Sequence, residues 1–187
     1  MATVVALWVV KAGVNGERSA EALERGVASF NAYTIAQDAA SLPSGTLADL
    51  LHKRNTRREV DGEIADMQTC RSWARQMRKL IHKIKKGDWI VMPTGKQGEQ
   101  ATAYSFGRVS DPYRYVGPGK LHTVHDRYAP TIDEVMAHAR PVTWSTPVHA
   151  THLEESGLTE AIHRLGTVYQ PSAQEALIAF AQGVRTS

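Results

Sequence analysis

The sequence predicts an α+β domain built on a small, curved sheet or barrel of five to six strands flanked by helices. Three observations carry that expectation. Short apolar runs bounded by Gly, Pro and polar residues recur at 3–10, 27–33, 88–92, 101–109, 139–145 and 166–169, the pattern of strands. Between Trp73 and Ile84, apolar residues return at helical spacing. Residues 94–100 (TGKQGEQ) are polar and too short for a crossover helix, so the runs they join pair antiparallel. That last point argues against an all-parallel βαβ architecture. A chain of 187 residues, 42% hydrophobic and 22% charged, suits one ordinary globular domain over 1–187.

In chain order, TVVALWVV at 3–10 is a buried first strand leading into Lys11, Ala12 and Gly13. Residues 17–25 read as a short helix with Ala20, Ala22 and Leu23 inward, ended by Gly26. The second strand is Val27 to Tyr33. Leu42-Pro43-Ser44-Gly45 is a turn, and 46–51 a short helix. The charged stretch His52–Met67 fits either a loop or a helical extension.

Trp73, Met77, Leu80, Ile81 and Ile84 then share one face of an amphipathic helix, which Gly87 ends. Asp88 opens the run Trp89–Met92, closed by Pro93. Ala101–Val109 is the returning strand, followed by a Pro/Gly-bounded loop, SDPYRYVGPG. Residues 120–138 form an excursion, partly helical at 131–138. The strand ARPVTWS follows at 139–145, then a short strand at 166–169. Ser172-Ala173-Gln174-Glu175 is a capping box for a terminal helix with Ala176, Leu177 and Phe180 inward.

The net charge of +3 says little, but the distribution is uneven. Lys53, Arg54, Arg57 and Arg58 together with Arg71, Arg75, Arg78, Lys79, Lys83, Lys85 and Lys86 are half of the 22 Lys and Arg residues, and no acid occurs between Arg71 and Gly87. Such clustering is the footprint of a phosphate-binding face, against the plainer reading of a solvated helix surface. The single cysteine, Cys70, excludes an internal disulfide framework and a Cys-rich zinc site. The apolar run at 3–10 is too short to span a membrane and lacks a signal-cleavage pattern, so a cytoplasmic protein without a membrane partner is expected.

Four segments, in order, resemble one family. WVVKAG is similar to the first strand of EVE-type domains. WARQM…IHKIKKGDWIVMP resembles the helix-then-strand element of PUA-like modules found at the N-termini of bacterial methyl-directed restriction endonucleases. FGRVSDPYRYVGPG with HARPVTW resembles their next strands and intervening loop, and IHRLGTVYQPSAQEALIAF their closing strand and helix. Residues 121–137 look like an insertion. The resemblance implies a PUA-like β-barrel of the EVE/YTH group, a module that holds a flipped, often modified base in an aromatic pocket. In restriction systems such a module targets modified cytosine or adenine for a nuclease domain or subunit, which would lie beyond Ser187 or on a partner. A modified-RNA-binding module of the same fold is the alternative.

On that reading the pocket draws on Lys11 and Ala12 for backbone groups, Phe30, Trp73, Tyr113 and Tyr115 for stacking faces, and Asn31 and Gln76 for the base edge. Arg54, Arg57, Arg58, Arg71, Arg75, Arg78, Lys79 and Arg114 would hold the nucleic-acid backbone. The plainer readings are core packing for Trp73, a turn residue for Asn31 and a surface helix residue for Gln76. Trp8, Trp89 and Trp144 lie in apolar strand runs and read as core.

His122, His125 and Asp126 are too few to make a metal site, and Gly95-Lys96 lacks the rest of a P-loop. Asp61, Glu63 and Asp66 lack the lysine that a metal-dependent nuclease would need. No cofactor, metal or catalytic residue is therefore expected of this chain. A hydrolase using His122, His125 and Asp126, and a purely structural domain, are the competing classes.

Overall fold

The computed structural model describes residues 5–12, 18–29, 35, 37–56, 66–95, 101–116, 137–162 and 167–184. Six strands answer the six apolar runs: β1 (Leu7–Val10), β2 (Val27–Ser29), β3 (Trp89–Thr94), β4 (Ala103–Val109), β6 (His138–Trp144) and β8 (Val168–Tyr169). Two two-residue strands add to them, β5 (Arg114–Tyr115) and β7 (Val148–His149). The order is β2-β6-β4-β3-β1-β8, with β5 also beside β6 and β7 beside β4. The chain is thus α+β, its mixed sheet curled into a half-barrel. The hairpin is present: β3 and β4 pair antiparallel from Trp89↔Arg108 to Thr94↔Ala103. One parallel pairing, β1 with β3, closes the centre.

Period-two alternation sorts the strands onto two faces. Trp8, Val10 and Ile90 face one layer, and Leu7, Val9, Trp89 and Val91 face the other. The first layer is covered by α2 (Ser44–Thr56), by α3 (Met67–Arg78) and by a π-helical turn (Lys79–Lys83) continuing α3. Leu47, Leu51, Cys70, Ala74, Met77, Leu80, Ile81 and Ile84 are its buried side chains. The second layer is covered by α4 (Ala150–Glu155), α5 (Thr159–Ile162) and α6 (Gln174–Val184). A smaller cluster lies where α1 (Ser19–Glu24) packs over Ala12, Val27, Met92 and Ala139.

Several expectations shift. The helix expected at 46–51 runs from 44 to 56, and β1 and β2 are described only over 7–10 and 27–29. Residues 146–162 carry a strand and two short helices to which no motif pointed. Ala176 and Ala20 are exposed, because the inward stripes run through Leu177 and Ala181 and through Ser19 and Ala22.

The junction between helix and strand is more elaborate than a glycine stop. Asp66 caps α3, its Oδ1 accepting from the Thr69 amide at 2.6 Å. The helix ends at the π turn, where Ile84 turns extended (ψ 128°), and Gly87 at φ 89° donates to the Val109 carbonyl at 2.8 Å. Asp88 is buried and ties three segments together. Its carboxylate accepts from the Ala6 amide (3.2 Å), the Trp8 indole (3.1 Å) and the Lys85 amide (2.9 Å). Arg140, reaching in from β6, donates to the Leu80 carbonyl at 2.8 Å and the Ile81 carbonyl at 2.5 Å. Those are carbonyls the last turn would otherwise leave unsatisfied. Burial lowers the Arg140 guanidinium to about 10, with Asp88 and Tyr113 opposing the shift, so it stays charged at neutral pH.

Candidate nucleic-acid interface

The outer side of α3 and its π turn is cationic. Arg71 and Arg75, one turn apart, are exposed, as are His82, Lys83, Lys85 and Lys86. Lys86 meets Asp111 at 3.8 Å on the open surface, a contact of small energetic consequence. Arg71, Arg75, Lys83 and Lys85 form no ion pair among the described residues. His82 registers the local field: partial burial and the cations Arg78, Arg140 and Lys83 hold its imidazole below the usual value.

Two of the expected phosphate contacts face the protein instead. Arg78 donates to the Leu42 carbonyl at 2.8 Å, pinning the segment that enters α2. Lys79 reaches the Val168 carbonyl at 3.5 Å. Arg114 is exposed on β5. Arg57 and Arg58, and the side chain of Arg54, lie outside the described residues.

The expected pocket residues divide in the same way. Gln76 uses its carbonyl oxygen on the backbone, accepting from the amides of Thr167 and, at 3.0 Å, Val168. That oxygen orders the start of β8, which leaves the amide NH2 as the group able to meet a ligand. Trp73 is half-buried against the α2–α3 core, between its two sequence readings. The Lys11 amide donates to the Thr167 carbonyl at 2.9 Å, and the Ala12 carbonyl accepts from Arg18 at 3.0 Å. Burial lowers the Lys11 ammonium. Phe30 and Asn31 lie outside the described residues, as do His122, His125, Asp126 and the rest of 117–136.

Tyr113 and Tyr115 do come together, around the first residue of the HARPVTW motif, to which sequence reasoning gave no site role. His138 is the first residue of β6, 2% exposed and paired with Tyr115 across the ladder. The Tyr113 ring lies parallel to the imidazole, centroids 6.2 Å apart, and the Tyr115 ring is tilted at 5.1 Å. His138 Nε2 lies 2.9 Å from the Ile35 carbonyl, which can only accept, so Nε2 carries the proton. In the neutral ring Nδ1 is then bare, 2.8 Å from the Tyr113 hydroxyl. The Asp38 carboxylate competes for that hydroxyl at 3.1 Å.

Burial holds His138 down to about 4, against the Ile35 bond and Asp38, so the ring is neutral at pH 7. Burial, then Asp38, pushes the Tyr113 phenol well above its ordinary value. The cluster is linked to α3 by nearby residues of one stretch of chain, Ile35, Asp38 and Leu42. Ile35 and Asp38 hold the aromatic pair, and Leu42 holds Arg78.

A cavity of about 410 Å³ lies elsewhere, lined by Tyr104, Glu154, Gly157, Thr159 and Glu160. Its acidic rim sits on the α4–α6 side and repels phosphate. Among the described residues no group of three or more His, Cys, Asp or Glu side chains is placed to hold a metal, and no helix is long and apolar enough to cross a membrane. Comparison with protein families, with characterised proteins and with solved structures finds no match to this chain.

Proposed function

We propose that this chain is a PUA-like reader of modified DNA, which seats duplex on the cationic side of α3 and its π turn and captures one flipped, modified base. The observation that carries the reading is the acid-free row Arg71, Arg75, Lys83 and Lys85 on the outside of α3 and its π turn, in a fold that also gathers the aromatic group Tyr113, Tyr115 and His138. The row supplies sequence-independent attraction to phosphates. The aromatic rings supply flat faces, and stacking on such faces contributes about 1–3 kcal/mol per base, comparable with the few kcal/mol that unstacking costs. The ordered motifs running from WVVKAG to the closing helix support the same fold and role. Cleavage, where it follows recognition, belongs to a separate nuclease domain or partner.

Fluorescence-anisotropy titrations test this at one salt concentration. The duplexes differ only at a central base: unmodified, 5-methylcytosine, 5-hydroxymethylcytosine or N6-methyladenine, with an RNA control. The reading predicts tighter binding to one modified duplex, with the preference weakened by Tyr115→Ala. Equal affinity for every duplex would overturn it.

A further inference from the structure

The cavity on the α4–α6 side of the sheet plays no part in base capture, and its wall has a chemistry of its own. Local pairing builds it. β7 pairs with the start of β4, His149 with Ala103 and Val148 with Tyr104, and the Ala150 amide donates to the Thr102 carbonyl at 2.9 Å. Those bonds fasten the start of α4 beside Ala101 and Tyr104. Gly157 follows α4 at φ 66°, the left-handed conformation that glycine favours. Its amide donates to the Glu154 carbonyl and the Leu158 amide to the Leu153 carbonyl, each at 2.9 Å, the paired bonds of a helix-ending turn. The turn brings α5 against α4. Glu154, from the last turn of α4, and Glu160, from the first turn of α5, therefore line the same cavity.

The space is about 410 Å³, within the range of about 300–1,000 Å³ that small-molecule sites occupy. Its wall combines three kinds of group. Ala101, Ala150 and the buried Tyr104 supply apolar surface. Glu154 and Glu160 are exposed carboxylates, and among the described residues neither forms an ion pair. No Lys, Arg or His among the described residues lines the cavity to balance them. Burial, and then the charge of nearby Glu154, hold the Tyr104 phenol above its ordinary value. Thr159 belongs to the same wall, and its hydroxyl oxygen is buried with no hydrogen-bond partner among the described residues. A hydroxyl so placed costs free energy until a donor or acceptor meets it.

We propose that this cavity binds a compact organic cation, an ammonium or guanidinium group on a short apolar body, with Glu154 and Glu160 as its counter-charges. Two carboxylates repel an anion and attract a cation, and a cationic N–H donates to carboxylate and hydroxyl oxygens alike. The alanine and tyrosine surfaces take the carbon body out of water, a gain that a hydrated metal ion would not share. Among the described residues no group of three or more His, Cys, Asp or Glu side chains is placed to hold a metal. The site stands apart from the α3 face, since Tyr104 belongs to the layer on the other side of the sheet. Failure of base capture would leave it untouched.

The test follows the whole chain by thermal melts and calorimetric titration with butylammonium chloride, butan-1-ol and MgCl2, at an ionic strength held constant with NaCl. The expected result is a saturable rise in Tm with butylammonium, as binding to the folded state requires, and none with butan-1-ol at the same concentration. Glu154→Gln and Glu160→Gln each weaken butylammonium binding by about threefold or more, the scale of one partly exposed ion pair. Glu155→Gln changes an exposed acid of α4 that does not line the cavity, and it leaves the binding as in wild type. The proposal is overturned if butylammonium gives no saturable rise, or if butan-1-ol gives an equal one. Unchanged affinity in the double variant Glu154→Gln/Glu160→Gln overturns it as well, and so does displacement of butylammonium by equimolar MgCl2. The comparison of amine with alcohol needs no variant, so it decides even where a substitution lowers the Tm of the free protein.

Discussion

Gly107 and His138 show how much single residues decide here. A Cβ at Gly107 would meet the Thr143 carbonyl at 3.0 Å, and backbone cannot swing aside as a long side chain can. Gly107→Ala is therefore expected to lower stability by about 1–3 kcal/mol in urea denaturation, the usual cost of overpacking. His138 gives a pH signature. Its native value of about 4 lies below the ordinary 6.5, so between those values the unfolded chain binds the extra proton and the native one does not. Its contribution is complete above pH 6.5 and falls as pH drops toward 4, by at most about 3 kcal/mol for a shift of that size. Urea midpoints at pH 7 and pH 4.5 check this. His138→Gln, which can still donate to Ile35 and accept from Tyr113, is expected to flatten the difference. The importance of His138 was not legible in the sequence, because its partners Ile35 and Asp38 lie about a hundred residues away and only the folded ladder brings them together.

At the scale of elements, the helix-to-strand junction from α3 to β3 was legible in outline. The stripe from Met77 to Ile84 is buried, Gly87 takes the positive φ that glycine favours, and β3 begins at Trp89. What the pattern did not reveal is the polar interior of that junction, Asp88 and Arg140, since charged residues in a sequence read as surface. Asp88→Ala would leave the Trp8 indole and the Ala6 and Lys85 amides without their acceptor and remove a negative charge that favours the charged Arg140. A loss of about 3 kcal/mol or more is expected in thermal or urea unfolding. The cationic face makes a separate prediction. Arg75→Ala with Lys83→Ala removes two exposed cations, so the slope of log K against log salt for duplex DNA is expected to shrink by about 2, at roughly 0.9 per phosphate contact. The equivalent change at Arg78 acts differently, because that side chain is spent on the Leu42 carbonyl and its loss appears in stability.

For the molecule as a whole, alternation and turn signals sufficed to place six strands, the central hairpin and the α+β class. The two-residue strands β5 and β7 carry too few residues to leave a pattern. The site was legible as a basic stretch and a pair of tyrosines. The sequence could not say which cations face solvent, because Arg78, Lys79 and Gln76 each sit one helical step from an exposed neighbour yet find backbone partners contributed by Leu42 and by residues 167–168. The fold presents an exposed cationic helix face and, elsewhere, an aromatic group around His138. Base capture is what that combination predicts, and it is directly measurable. A duplex carrying 2-aminopurine beside the preferred modified base should brighten on binding, because extruding that base unstacks its neighbour. The account predicts a saturable rise that tracks the anisotropy curve and is absent from the unmodified duplex. Binding with no change in 2-aminopurine fluorescence would contradict it, leaving a protein that holds phosphates and leaves the stack intact.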